Sequence, residues 1–377
     1  MAPRYAGRKY RFPLIRPAIP EPESWLPFLR DSYAHQWFSN FGLAVDRFEA
    51  ELGRAFGEPE DVFVLTSSAT AGLAACLIAA GVAGPVLVPA FTFPATFAAV
   101  RMAGAEPLLV DVDPITWSCD VNALQQGLKQ TGARAAILVA PFGITQDFAA
   151  HVACCEAAEA AAVIDNAAGL GGGPRQRRML RGNAMEVYSL HATKPFAVGE
   201  GGAIQADRDS ASRLRSAINF GLPWQPGGTP SWGINGKMPE VTAAIGLAAL
   251  AGYGNALQMR QMQAARYCEL IGRFNRVVIH RGIADAPWQV FPCLLPTPQA
   301  ASDFVDAAAR HGLEVRRYYQ PSLADWGGVR ALDDCPASRD LASRMVCLPV
   351  YPTISEGEID GLHDIIATAL ADALRTG

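Results

Sequence analysis

The chain has 377 residues, half of them hydrophobic, and a net charge of −4 at pH 7. That length predicts about two domains with ample apolar material for a core, and the slightly acidic balance leaves no basic field to hold nucleic acid. No apolar run follows the basic N-terminus, and the apolar region 69–88 is cut by Gly72, Gly81, Gly84 and Pro85, so neither a secretory leader nor a membrane span is expected.

In chain order, the cluster Arg4, Arg8, Lys9 and Arg11 comes first, either a solvated arm or a contact for an anionic ligand. Short apolar runs then alternate with alanine-rich stretches. Val62–Thr66, Pro85–Val88, Pro107–Val112, Ala135–Ala140, Ala161–Asp165, Glu186–Leu190 and Ala203–Ala206 read as strands. Thr70–Ala80, Phe97–Ala103, Val121–Gln130 and Asp147–Ala160 read as helices. This alternation predicts an α/β fold with a mainly parallel seven-stranded sheet flanked by helices and right-handed crossovers. The segment Leu222–Gly236 holds four glycines, three prolines and two tryptophans and is too irregular for an element; it reads as a lid or as a loop crossing between subunits. The character changes after about Gly254, which divides the chain into an N-terminal arm with a large domain (1–254) and a smaller C-terminal α+β domain (255–377). In the latter, Ala256–Asn275 and Gln299–His311 read as helices, and Val277–Ile279, Trp288–Leu295, Glu314–Tyr319 and Met345–Val350 as extended. A last helix runs from Ser355 to about Leu374, with Ser355 and Glu358 forming a capping box. The eight cysteines include no C-x-x-C pair, which favours inert thiols over a metal site and a reduced, cytoplasmic protein.

The most informative run is Tyr188–Ala203, which contains Lys194 between an apolar segment and a glycine-rich turn. It is either a structural loop lysine or a desolvated amine that loses its charge easily and forms a Schiff base with pyridoxal phosphate (PLP). PLP asks a protein for an amine, a carboxylate for its pyridine nitrogen, a phosphate cradle and a flat group against its ring. Leu65–Gly72 follows a strand and opens a helix, so Ser68, Ala69 and Thr70 read as a phosphate cradle or as an ordinary helix cap. Phe93 is placed to stack on the ring with Phe91 beneath it, unless both are core. Asp165 ends an apolar strand, where burial demands a partner; a protonated pyridine nitrogen is one and a helix N-terminus is another.

The order cradle, aromatic, carboxylate, lysine is that of fold-type I PLP enzymes, and from about Leu14 to the last helix the chain resembles the DegT/StrS family of sugar aminotransferases. The resemblance is carried by Ser68-Ala-Thr70, by Val88–Thr96, by Gly104–Asp113 and by Ser189–Lys194 through Gly199–Gly202. It continues in Asn219–Leu222, Asn235–Met238 and Leu348–Pro352. It implies Lys194 as the cofactor-linked amine and proton shuttle, Ser189 on the phosphate, and Asn235 on the phosphate of a neighbouring subunit, hence a homodimer. It implies an amino donor, glutamate or glutamine, and a nucleotide-linked keto-sugar as substrates. Departures are also legible. Ile164–Ala168 aligns Asp165 with the family's aspartate, but a one-residue shift would put Asn166 there, and asparagine cannot keep the nitrogen protonated. Ala168 replaces a usual Gln or His, Ala69 a usual Gly, Thr242 a usual Gln, and Tyr318-Tyr319 a usual His-Tyr. His191 either contacts substrate or packs, and Glu200 is expected to hold the glycine turn. Arg316 and Arg317 either bind a diphosphate or carboxylate, or lie on the surface. Tyr318 and Tyr319 fall on the substrate side.

Overall fold

The computed structural model describes residues 10–173, 184–282 and 286–375; Arg4, Arg8 and Lys9 of the basic cluster lie outside them. The first seven strands are β1 (Asp61–Thr66), β2 (Pro85–Pro89), β3 (Glu106–Val110), β4 (Ala135–Val139), β5 (Ala161–Asp165), β6 (Met185–Ser189) and β7 (Gly202–Asp207). All seven strands predicted for the sheet form, and an eighth, β9 (Arg330–Ala331), joins from the C-terminal half to give the order β1-β7-β6-β5-β4-β2-β3-β9. The seven-stranded expectation is thus corrected by one strand: β9 pairs only two residues with β3, too short to read from an apolar run. β7 is antiparallel to both neighbours and every other pairing is parallel.

The two faces of the sheet separate by residue parity, as a period of two demands. Ala135, Ile137 and Val139 of β4 and Ala161 and Val163 of β5 pack with one core cluster, under the helices α3 (Ala69–Ala79), α4 (Pro94–Met102) and α7 (Ala211–Ala217). Ala136, Leu138, Ala162 and Ile164 pack with another, under α5 (Val121–Thr131) and α6 (Ala149–Ala157). This parity decides which end-of-strand side chain faces which cavity.

Two N-terminal helices, α1 (Pro22–Ala34) and α2 (Leu43–Phe56), were not among the predicted elements, although Val45, Phe48, Leu52 and Phe56 recur at helical spacing in α2. The α2 N-terminus is capped from far along the chain. The fully buried Glu240 carboxylate accepts the N–H groups of Gly42, Ala44 and Val45 at 2.7–3.3 Å, and the Ser32 hydroxyl at 3.2 Å. Glu240 opens the 32-residue helix α8 (Glu240–Ile271), which starts well before the predicted Ala256 and runs unbroken through Gly254. Gly246 within it is required by packing, since a Cβ there would sit 2.3 Å from the Phe48 ring.

The C-terminal half adds β8 (Val290–Leu294), α9 (Pro298–Arg310), α10 (Pro336–Arg344), β10 (Met345–Pro349) and α11 (Glu356–Arg375), with β8 and β10 antiparallel. Val277–Ile279 contributes only the bridge Val278–Leu294. Glu314–Tyr319 is not a strand: it bridges to Cys347 at Arg316 and then turns, and Tyr318 and Tyr319 line the cavity described below. The capping box is present, with Ser355 N–H donating to Glu358 and Glu358 N–H to the Ser355 hydroxyl. One core cluster joins the halves, from Phe12 and Leu14 through Phe91, Trp117 and Phe142 to Phe291 and Leu348. All eight cysteines are free, and burial holds the thiols of Cys76, Cys293 and Cys347 above their ordinary range. Among the described residues no helix is long and apolar enough to cross a membrane.

Candidate active site

At the carboxyl ends of the parallel strands lies a cavity of about 440 Å³. It is lined from the N-terminal half by Ser68, Ala69, Thr70, Phe93, Asp165 and Ser189, by the turn carrying His191 and Lys194, and from the C-terminal half by Gln289, Arg316, Tyr318 and Tyr319. Open α/β sheets bind ligands at this end, where strand tips and helix N-termini converge.

The cradle comes from the β1–α3 turn. Ser68 is the N-cap of α3, and its hydroxyl accepts the Ala71 N–H at 3.1 Å. The helix-cap reading of Ser68 is therefore realised, and it does not compete with the other, because the same turn lines the cavity. First-turn N–H groups lack intrahelical acceptors and carry the positive end of the helix dipole, which makes them an anion site. Ala69 enters the helix without a left-handed backbone, so the missing glycine costs nothing here. Gly202 explains the glycine turn after Lys194: a Cβ there would lie 2.5 Å from Thr66 Oγ1 and 2.6 Å from the Ala69 N, so β7 backs directly onto the cradle.

Asp165 is 6% exposed at the tip of β5, on the α3 face. Thr96 Oγ1 donates to its Oδ2 at 2.6 Å and the Ala167 N–H to its Oδ1 at 3.2 Å. Thr92 and Thr96 hydroxyls are 2.8 Å apart; because Thr96 spends its proton on Asp165, Thr92 is the donor between them. Burial pushes the Asp165 carboxyl above the usual range, opposed by the Thr96 hydrogen bond, by Lys194 and by Ala167. Asn166 has the opposite parity. It faces the other side of the sheet, where its Nδ2 donates to Glu186 at 2.6 Å.

Lys194 keeps some accessible surface because it borders the cavity, but its amine lies deep among protein atoms. Burial lowers its pKa to about 8, against the upward pull of Asp165. Its Nζ donates to Gln289 Oε1 at 2.9 Å. An amine with a pKa near 8, far easier to deprotonate than an ordinary lysine and lying near a buried carboxylate, is suited to nucleophilic attack on an aldehyde and to proton transfer. An aromatic wall faces the pair. Tyr319 stacks on Phe142 (5.4 Å, 1°) and meets Phe91 and Phe93 edge-on at 5.2 and 6.4 Å. Phe93 is 54% exposed at the cavity edge, whereas Phe91 is core. Burial raises the Tyr319 phenol further above neutrality, with Cys347 and Asp165 adding to it.

The remaining predicted residues divide. His191 and Glu200 line the cavity and pair with each other across the turn, His191 Nε2 to Glu200 Oε1 at 3.4 Å, alongside backbone bonds between residues 190–192 and 198–201. Arg316 lines the cavity, its Nε and Nη2 on Glu314 and its Nη1 3.2 Å from the Tyr318 hydroxyl. Arg317 turns away to Ser302 and Ser343. Thr242 is on α8 and is not in the cavity lining. Asn235 is exposed, accepts from Lys237 at 2.8 Å and does not line this chain's own cavity. Sequence reasoning missed Thr92, Thr96, Phe142 and Gln289. A polar residue inside the apolar run Trp288–Leu295 was the available signal for Gln289.

A protein-family model for the DegT/DnrJ/EryC1/StrS aminotransferases matches residues 23–367. The chain belongs to this family. Protein Rv3402c of Mycobacterium tuberculosis is 30% identical over 93% of this chain and 88% of its own length. The dTDP-4-amino-4,6-dideoxy-D-glucose transaminase of Shigella dysenteriae is 26% identical over 94% and 97%. Among solved structures, DesI, crystallised in the presence of its TDP-sugar product, superposes with a TM-score of 0.87 at 27% identity, over 98% of this chain and 96% of its own. This family member is a fold-type I aminotransferase that uses PLP. The cavity fits that cofactor on its own terms: a helix N-terminus for the phosphate, a buried carboxylate in need of a cation, and a lysine of lowered pKa in one enclosure.

Proposed function

We propose that this aminotransferase moves an amino group from glutamate or glutamine to a keto-sugar carried on a nucleotide. The observation that carries the reading is the burial of Lys194 and Asp165 in a single cavity headed by the N-terminus of α3. When bound, PLP supplies an electron sink that accepts the electrons left when a proton departs the donor carbon.

The chain's own residues do the rest. Ser68, Ala69, Thr70 and Ser189 hold the phosphate. Asp165 keeps the pyridine nitrogen positive, and Thr96 holds that carboxylate ionised and in place. Phe93 covers the ring from the cavity edge. Lys194 would hold the cofactor through its amine and, when not engaged in that bond, would take and return the donor-carbon proton at its Nζ. His191, Arg316, Tyr318 and Tyr319 form the substrate side. Arg316 is the arginine of the lining and can meet a diphosphate or the donor's carboxylate. The nucleotide-sugar assignment is supported by relatives named as dTDP-sugar enzymes. Asn235, exposed and outside its own cavity, is assigned to the phosphate of a second copy in a homodimer with shared active sites.

Lys194→Ala tests the reading. The variant should lack the visible, borohydride-reducible band of lysine-bound PLP and all turnover. A variant that keeps the band gives the anchor to another residue. Presented with free and nucleotide-linked ketones, the wild type should aminate only the linked ones. Equal rates on the free ketones would remove the nucleotide from the assignment and leave a cyclitol or other small biosynthetic ketone.

A further inference from the structure

Lys194 forms a hydrogen bond across the cleft. Gln289 precedes β8 in the C-terminal half, and its Oε1 accepts from Lys194 Nζ at 2.9 Å. Gln289 is held at both ends. Its backbone is fixed by pairing of Val290 with Pro349 and by the buried Arg260, whose Nη1 donates to the preceding Trp288 carbonyl at 2.6 Å. Its side chain is oriented by Thr193, with Nε2 3.3 Å from Thr193 Oγ1. The proton assignment is consistent along the chain. His191 Nδ1 accepts the Thr193 N–H at 3.2 Å and lies 2.9 Å from the Thr193 hydroxyl. In the neutral ring Nδ1 is then the acceptor for that hydroxyl, and the Thr193 oxygen is left to accept from Gln289. With Nε2 so engaged, the amide can offer only its oxygen to Lys194; a flipped amide would set two donors against each other.

We propose that Gln289 is a positioning residue for the catalytic amine: oriented by Thr193 and anchored through Arg260, its carbonyl sets the direction and the charge of Lys194 whenever that lysine is not joined to the cofactor. The inference rests on the assignment of Lys194 as the PLP-linked amine. An acceptor stabilises an ammonium more than a neutral amine, so Gln289 opposes burial and keeps the lysine from becoming too weak a base to take the donor's proton. The other ionisable groups lining the same cavity are Asp165 from β5, His191 and Glu200 from the lysine turn, and Arg316, Tyr318 and Tyr319 from the C-terminal half. Of these, Asp165 acts on Lys194 in the same direction as Gln289.

The test uses the full chain stripped of PLP and needs no substrate. On adding PLP, the neutral lysine nitrogen attacks the aldehyde carbon, a carbon–nitrogen double bond forms and the aldehyde oxygen leaves as water. The ammonium has no lone pair and does not react. The rate at which the visible band appears, followed against pH, therefore titrates Lys194, with a wild-type midpoint near its pKa of about 8. Gln289→Met should move that midpoint down by about one pH unit and Gln289→Glu should move it up by about one or more. Thr193→Val, which frees the amide, should shift it in the same direction as Gln289→Met and by less. Gln289→Glu is close to isosteric and carries the test alone if the methionine variant does not fold. Midpoints equal to that of the wild type, or shifts of the same sign for Met and Glu, overturn the proposal. No band in the wild type at any pH overturns the assignment of Lys194 itself, and the inference with it.

Discussion

Replacing Thr96 by valine isolates one hydrogen bond at nearly constant shape. Thr96 is fully buried, and its hydroxyl donates to Asp165 Oδ2 at 2.6 Å. A hydrogen bond to a charged group contributes about 1.5–3 kcal/mol. Since about 1.4 kcal/mol corresponds to one pKa unit, its loss should raise the Asp165 pKa by roughly one to two units. The sign adds to what burial already does, because burial pushes this carboxyl up and Thr96 is the first force opposing it. A carboxylate that protonates more readily holds a positive pyridine nitrogen less well. PLP affinity of Thr96→Val should therefore fall by about tenfold near neutral pH, and the deficit should widen as the pH is lowered. PLP titration followed by the visible band, repeated at a series of falling pH values, measures both. A deficit constant with pH would mean that the valine disturbs packing alone, and no deficit would mean that Thr96 does not tune Asp165.

Three further outcomes are expected. Glu240→Gln, which weakens the cap on α2, should cost about 2–4 kcal/mol in urea unfolding while leaving the visible band of the folded enzyme unchanged; an unshifted midpoint would show the cap to be dispensable. Gly202→Ala should lower PLP affinity by at least about tenfold, because its Cβ collides with Thr66 and with the Ala69 N–H of the cradle; wild-type affinity would mean that the turn moves without losing its donors. The folded Lys194 pKa of about 8 lies below the ordinary 10.5, so between those values the unfolded chain binds more protons and stability rises with pH. Below about 8 the penalty for burying the charge is fully present. Urea midpoints of the cofactor-free wild type should therefore gain on those of Lys194→Met from pH 8 to 10.5, and parallel profiles would place the lysine's folded pKa at its ordinary value.

How much was legible follows from what each element is made of. The strands β1 to β7 are short apolar runs between turn residues, and buried parallel strands advertise themselves this way. α8 hid its first half because Gly246, Gly252 and Gly254 lower helix propensity, and Gly246 is there for contact with Phe48, which no local pattern reveals. α2 carries a readable helical period in Val45, Phe48, Leu52 and Phe56; what no local pattern reveals is its cap, which comes from Glu240, about two hundred residues away in sequence. In the site, residues whose chemistry is covalent or charged (Lys194, Asp165) were readable as residue types. Those that act by pointing were not. Thr96 and Gln289 are ordinary in composition, and only the fold sets one beside the carboxylate and the other beside the amine.

The alternative between Asp165 and Asn166 illustrates what a sheet adds to a motif. Both end the same apolar strand, and sequence alone left a one-residue shift open. Along β5, Ala161 and Val163 pack under α3 while Ala162 and Ile164 pack under α5 and α6. Side chains alternate faces, so Asp165 must continue the first set and Asn166 the second. The hydrogen bonds agree: Asp165 accepts from Thr96 at the start of α4, and Asn166 donates to Glu186 on the far side. For Asn166 to meet the cofactor, β5 would have to slip by one residue against β4 and β6, which would turn Ala161, Val163 and their partners out of one core and into the other. The energy that fixes which of the two faces the lysine is thus stored in apolar residues upstream of the site, and charge at the site plays little part in the choice.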